Sequence, residues 1–447
     1  MKNKILFISL AVVLALSVGL VGCADGVEPR IPETQTKIVI GVSSPLDGPY
    51  AAIRAGALTP ILDTYLYQVN NVSGGMLLKH YGASYRVPVE VLEYNDSSSL
   101  DTMLENTEKL ITVDKVDFMF SACSTGFIMA QAPLVNSLDY VLLTFEGGAT
   151  SMKETLPGMP YVFVNLNFAD WYQMPVLAKM LADKGATTAY VVWLNDLHGI
   201  EYNSIAGAAF AAENITIVKS VSIPGFPPAA IAAAPGIVAD AKSVDADVFC
   251  MFAYDFAVIP LTLEAISQNF TPKAMIGGPG SNFGYFGFAL DDNPATSLGY
   301  TEGIMCFASA NNKSVIAGAT MPMATLFNDI LFPAVGFANT DWWGAPLYWA
   351  AMELWQAAVE DVGYVNQDDI RDALAAYNST NPCSTVLGPT WYTMFGTGGG
   401  ILAYECHPGQ IGQWQSGMVE IVGYDGITTD LPRYVATETF TYPKPDW

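Results

Sequence analysis

Basic side chains are scarce in this 447-residue chain: 19 Lys and Arg stand against 43 Asp and Glu, a formal net charge of −24 at pH 7. Nucleic acid and anionic membrane surfaces are held by clustered positive charge, so neither is a plausible partner. Histidine is scarcer still. His80, His198 and His407 are the only three, too few and too far apart to suggest a histidine-based metal site. Charged residues of both signs make up 14% of the chain and apolar ones 51%. That balance is too apolar for a disordered chain and is enough to fill sizeable cores. Missing as well are a G-x-S-x-G elbow, a P-loop, H-E-x-x-H and paired C-x-x-C motifs. The run Gly396-Thr397-Gly398-Gly399-Gly400 lacks the lysine and following hydroxyl residue of a phosphate cradle and reads as a mobile loop. His198 has Asp196 nearby but no nucleophile at a useful spacing. The sequence calls for no cofactor or metal and gives no support to an enzyme.

Long uncharged runs are also missing, with one exception at the start. Lys2 and Lys4 precede the apolar run Ile5 to Leu20, which leads into Leu20-Val21-Gly22-Cys23. A basic start, a short apolar core and small residues at a cleavage point describe an export signal over residues 1–22. Leu20 to Cys23 resembles a bacterial lipobox, which implies cleavage before Cys23 and a lipid on its sulfur. Residues 23–36, with Pro29 and Pro32, then read as a tether, and the body is extracytoplasmic. Length alone suggests two or three domains in all. Five cysteines remain: Cys123, Cys250, Cys306, Cys383 and Cys406. The number is odd, so at least one thiol stays free. Cys250 and Cys306 sit in apolar runs and read as buried small hydrophobes. Cys383 and Cys406 lie in polar, Gly- and Pro-containing surroundings of an exported chain, and a disulfide between them is the expectation.

What is present is an alternation. Short, mainly apolar runs such as Lys37 to Ser43, Phe118 to Phe120, Tyr140 to Leu143, Ala189 to Trp193 and Asp247 to Phe252 alternate with segments of helical length. Apolar strands separated by helices indicate parallel sheets covered on both faces, here α/β and doubly wound. The units are too many for one sheet, so two lobes are expected. Ligands of such sheets bind beyond the carboxyl ends of the strands. Those positions are Ser43 to Tyr50, Ser121 to Gly126, Thr144 to Thr150, Leu194 to Gly199, Ala253 to Phe256 and Gly277 to Asn282. They are rich in Gly, Ser, Thr and aromatics, a mixture suited to a small organic ligand, although Gly and Ser also simply make turns.

Several stretches together resemble the branched-chain amino acid (Leu/Ile/Val) binding proteins, the type I periplasmic solute receptors of ABC importers. They are Lys37-Ile-Val-Ile-Gly through Pro45-Leu-Asp-Gly-Pro-Tyr50, Phe120-Ser-Ala-Cys-Ser-Thr125, Gly147-Gly-Ala-Thr-Ser151, His198-Gly199, Ala253-Tyr254, Tyr348 to Leu374 and Gly388-Pro389-Thr390-Trp391. The resemblance implies two Rossmann-like lobes joined by a three-stranded hinge. Crossings near Asn165, Thr301 and Leu387 put residues 37–165 and 302–387 in lobe 1, and 166–301 and 388–447 in lobe 2. It implies a ligand in the cleft, an ABC permease as partner, a monomer and no catalysis.

The same resemblance places ligand contacts on Tyr50, Ser124 and Thr125, on the loop Phe145 to Thr150 with Phe145, Gly148 and Thr150, and on His198 and Tyr254 in the opposite lobe. His198 read alone is equally a surface-loop histidine, and Tyr254 a lobe-packing aromatic. One departure stands out. Amino-acid receptors of the family place an acid after the strand ending near Ile276, to pair the ligand ammonium. Here that stretch is Gly277-Gly278-Pro279-Gly280-Ser281. Glu146, Asp196 and Asp255 are the candidate substitutes, and amino acids become weaker candidates than other carboxylates. Trp171, Trp193, Phe127, Phe145 and Phe283 would suit an aromatic one. A sensory receptor of the same fold feeding a signalling partner is the alternative, and a secreted hydrolase the third reading.

Overall fold

Each of the expected apolar runs near the amino terminus becomes a buried parallel strand. The computed structural model describes residues 34–147, 150–166, 169–290, 299–407, 409–423 and 433–447. The leader, Cys23 and Gly148 lie outside the described residues. Thr36–Trp447 is one compact unit with two sheets. In the first, the order is Tyr392–Met394, Gly400–Leu402, Val162–Val164, Leu142–Thr144, Phe118–Phe120, Ile38–Ser44, Val89–Asn95. Ile38, Ile40 and Val42 are fully buried along the central strand. Its register is parallel on both sides, with Ile38 opposite Val89 and Ile40 opposite Phe118. The second sheet runs Glu438–Thr439, Met418–Gly423, Ile411–Gln415, Ile304–Phe307, Ala274–Gly277, Val248–Phe252, Thr188–Leu194, Thr216–Ile223. It is parallel from Ile304–Phe307 to Thr216–Ile223, and antiparallel where Ile411–Gln415 joins Ile304–Phe307 and Met418–Gly423. The architecture is therefore two α/β lobes around parallel-dominated sheets.

Two of the three crossings fall later than expected. Ile304–Phe307 pairs with Ala274–Gly277, Met275 opposite Ile304, so the chain completes this strand of the second lobe before it leaves. The return comes between Leu402 and Ile411, because Gly400–Leu402 pairs in parallel with Val162–Val164. The glycine run that read as mobile is what permits this pairing. A Cβ on Gly399 would sit 2.4 Å from the Val162 carbonyl oxygen, and one on Gly398 2.1 Å from that of Leu156. The Gly399 amide instead donates to the Leu156 carbonyl at 2.8 Å. These glycines are required by close backbone approach, not by motion.

The long helix Gly344–Val362 belongs to the first lobe. Gln356 on it accepts from the Tyr65 hydroxyl at 2.6 Å. Gln367 of the next helix caps the Val141 amide and the Asp117 carbonyl at the base of the first sheet. The expected disulfide is not formed. Cys383 and Cys406 are both buried free thiols. Cys383 is turned to the Ser384 carbonyl, and Cys406 to those of Pro389 and Trp391. Both sit in apolar packing of the first lobe, so their polar sequence neighbours misrepresent their surroundings. Among the described residues, no helix is long and apolar enough to cross a membrane.

Candidate functional site

The strand ends of the two lobes converge on one narrow cavity. From the first lobe it receives Ile53, Ala57, Thr125, Glu146, Gly147 and Tyr348. From the second come His198, Tyr202, Tyr254, Pro279, Asn282 and Phe283, and from the connecting segments Leu166, Asp341 and Trp343. Its volume is about 30 Å³, room for about one or two ordered waters. Five of the six loops expected to face a ligand supply a lining residue. The sixth, Ser43 to Tyr50, stops one layer short.

Thr125, which lines the cavity, opens the helix Thr125–Ser137. Ser124 before it has φ +84°, and Glu146 after the neighbouring strand has φ +54°. Left-handed backbone at two non-glycine residues is a strain that surrounding structure must hold in place. The Ser124 hydroxyl is bonded to that of Tyr50, whose pKa burial pushes up to about 12. Tyr50 itself meets Phe127 and Tyr254 edge-on, each at 5.5 Å. From the other lobe, the Tyr254 hydroxyl accepts the Thr125 amide, so the two walls already touch.

Glu146 is wholly buried and ion-paired at 3.2 Å with Arg54, itself 2% exposed. Its other oxygen accepts the Leu58 amide at 2.7 Å, and its own amide donates to the Tyr348 hydroxyl at 2.7 Å. Burial, only partly offset by Arg54, raises its pKa. His198 sits in the first turn of the helix Leu197–Ala212, capped by Asp196, which accepts from the Gly199 amide at 2.9 Å. Gly199 is needed here, since a Cβ would lie 1.9 Å from the Leu194 carbonyl oxygen. The imidazole stacks on Tyr254 at 5.0 Å and lies 4.4 Å from Tyr202. Burial lowers its pKa to about 3 and raises that of Asp196 to about 6, and His198 Nε2 has no partner.

Other expected contacts lie elsewhere. Phe145 is a core residue, packed against Phe120 and Tyr348. Thr150 does not reach the cavity; its amide bonds to Glu201 of the opposite lobe. The next residue, Ser151, donates to the same Glu201 oxygen through its amide at 3.0 Å and its hydroxyl at 2.5 Å, a second bridge between the lobes. Of the aromatics expected at the cleft, only Phe283 lines it. Trp193 bonds Ser220 on the outer face, and Trp171 packs against Tyr404. Asp255 is buried but does not line the cavity.

The residue that sequence reasoning missed is Asp341. Trp342 N–H bonds the Asn282 carbonyl, Gly284 N–H bonds that of Thr340, and Phe283 bridges Asp341 antiparallel. This pairing carries Asp341 to the edge of the very loop that lacks an acid. Its Oδ1 accepts from Asn282 Nδ2 at 2.6 Å and from the Trp343 amide at 2.8 Å. A signal existed: Asp341 is the one charged residue between Asp329 and Glu353.

A comparison with curated proteins gives no match. The family model described as periplasmic binding protein matches residues 37–407. Among solved structures, an ABC-transporter solute-binding protein from R. palustris in complex with benzoate is 18% identical. It aligns over 91% of this chain and 99% of its own, with TM-score 0.69. The branched-chain amino acid transporter substrate-binding protein of Streptococcus pneumoniae, in complex with isoleucine, is 16% identical over 86% and 98%, with TM-score 0.65. A leucine-binding protein from Thermotoga maritima is 14% identical over the same shares, also with TM-score 0.65. Those identities establish a shared fold, and the family match covers most of the chain. The chain belongs to the periplasmic binding protein family.

Proposed function

We propose that this protein is an extracytoplasmic lipoprotein, anchored through Cys23, that captures a small organic solute between its lobes and presents it as a monomer to an ABC permease. The observation that carries this reading is the meeting of five strand-end loops from two sheets at one cavity. The start of the helix Thr125–Ser137 offers amide and hydroxyl dipoles to a carboxylate without a fixed counter-charge. Ile53, Leu166, Phe283 and Trp343 offer an apolar bed for the rest of the solute. Structural neighbours in complex with benzoate and with isoleucine support an aromatic carboxylate or an amino acid as the class. Ligand contacts to both lobes would favour the closed form, and closure is what a permease can recognise.

Thermal unfolding of the purified protein against a panel of amino acids and aromatic and aliphatic carboxylates tests this. A ligand at a hundred times its Kd adds about 2.7 kcal/mol of stability, a rise of several degrees. No shift with any member of the panel would sink the reading. For the anchor, Cys23→Ala releases the protein from the membrane fraction if the lipid is on that sulfur.

A further inference from the structure

Beside the long helix Gly344–Val362 lies a hollow that shares no residue with the cavity between the lobes. Most of this helix is buried, but Glu353, Gln356, Ala357 and Glu360 are half-buried and follow the spacing of a single helix face. That face lines the hollow together with Tyr65, Val69, Met321, Ile330 and Trp349, around a volume of about 340 Å³. A second hollow of about 470 Å³ adjoins it through Gln68 and Ile330 and adds Asp63, Tyr67 and Asp329. The two make one trough. Ser73, Ser384, Asp63, Tyr67 and Asp329 are exposed along it, so it stands open rather than enclosed.

Its charge is of one sign. Glu353, Glu360, Asp63 and Asp329 line it and no lysine or arginine does. None of these four acids has a salt-bridge partner among the described residues. The two helix acids are held by neutral donors instead. Glu353 accepts from the Thr320 hydroxyl at 2.8 Å and from the Val386 amide. Glu360 accepts from Gln356 at 2.9 Å and from the Leu77 amide at 3.3 Å. Carboxylates fixed in this way lose little further freedom when a cation meets them. Two π-helical turns, Gln68–Val72 and Thr325–Leu331, border the trough, and such turns are rare and recur at functional positions.

We propose that this trough docks a basic, partly apolar segment of a partner polypeptide. Its cations meet Glu353, Glu360 and Asp329, and its apolar side chains lie against Tyr65, Trp349 and Ile330. Charge complementarity selects the occupant. A second copy of this chain brings a net charge of −24 and a trough of the same sign, so like charges would face each other. Shape separates a peptide from a small amine. Trp349 to Glu360 spans about 17 Å of helix, the length of about five extended residues. Small solutes are instead enclosed by concave pockets that bury most of their surface. The docking is independent of what the cleft holds.

Fluorescence anisotropy at pH 8 tests this, above the value of about 7 to which burial raises Glu353. The probe is a labelled octapeptide of alternating lysine and leucine, with its glutamate counterpart and spermidine as controls. The lysine peptide binds, the glutamate peptide does not, and Glu360→Gln with Asp329→Asn weakens binding about tenfold or more. Glu105→Gln with Glu108→Gln removes the same charge from the exposed face of the helix Leu100–Thr112 and changes binding less than about twofold. Equal losses in the two double variants mean attraction to the whole acidic surface and overturn the proposal. Silence from the lysine peptide overturns it too, as does spermidine binding as tightly as the peptide, since a small amine is then the occupant. Should the first double variant fail to fold, Asp329→Asn alone, on the exposed rim, decides by a loss of about threefold or none.

Discussion

The two walls of the cavity are built from opposite materials. The first lobe presents a helix start and a buried ion pair: Thr125, then Glu146 locked to Arg54 and held by the Leu58 amide and Tyr348. The second presents rings: His198 stacked on Tyr254 and tilted against Tyr202, with the imidazole kept neutral by burial. Charges need fixed partners before they can be buried, whereas rings need only contact. The first wall is therefore organised by fixed charge partners, and the second by ring contacts within its own lobe. Asp341 stands between them, on the segment that links the second sheet to the long helix of the first lobe.

The difference implies unequal responses to mutation. Arg54→Met strands Glu146 without its partner inside the first lobe, and removing one member of a buried pair costs about 3–5 kcal/mol. Chemical denaturation at pH 7.5 reads this directly, and adding Glu146→Gln restores most of the loss. A deficit below about 1 kcal/mol would mean that the first wall is not held by this pair. Glu201→Ala acts on the second lobe. It removes the bonds to the Thr150 and Ser151 amides and to the Ser151 hydroxyl that bridge the lobes. Those bonds form only when the lobes meet, so folding stability changes by less than about 1 kcal/mol while ligand affinity falls about tenfold. Equal effects on stability and affinity would erase the distinction between the walls.

The sequence conveyed the second wall better than the first. His198 and Tyr254 follow apolar strands directly, and a residue just beyond a parallel strand faces the cleft wherever the sheet is doubly wound. Glu146 was legible as an acid in the right loop, but its ion pair was not, because Arg54 is 92 residues away. Asp341 depended on an antiparallel contact with Phe283 that no periodicity encodes. The misplaced crossings have the same origin. Ile304–Phe307 and Gly400–Leu402 are short apolar runs that suit either lobe, and only pairing decides between them. The thiols of Cys383 and Cys406 were misjudged because polar neighbours in sequence do not prevent burial in the fold.

The finest test of the contrast is electrostatic and concerns His198 alone. Its pKa in the folded protein is lowered from 6.5 to about 3, so between those values the unfolded chain binds a proton that the folded protein refuses. Stability from this group is thus complete above pH 6.5 and lost as the pH falls, by about 2 kcal/mol at pH 5. His407, lowered to about 4, acts in the same direction. Asp196, Asp255 and Asp341, raised to about 6, act in the opposite one, since the folded protein takes up protons there before the unfolded chain does. Glu353, raised to about 7, adds to that opposing side, so the total profile mixes contributions of both signs and says little by itself. The difference between the unaltered protein and His198→Phe isolates the histidine, because the carboxyl contributions largely cancel. That difference should move in favour of the variant by about 2 kcal/mol between pH 7 and pH 5, measured by urea unfolding at each pH. A flat difference would mean that the imidazole meets water in solution, and that the second wall stands open before any solute arrives.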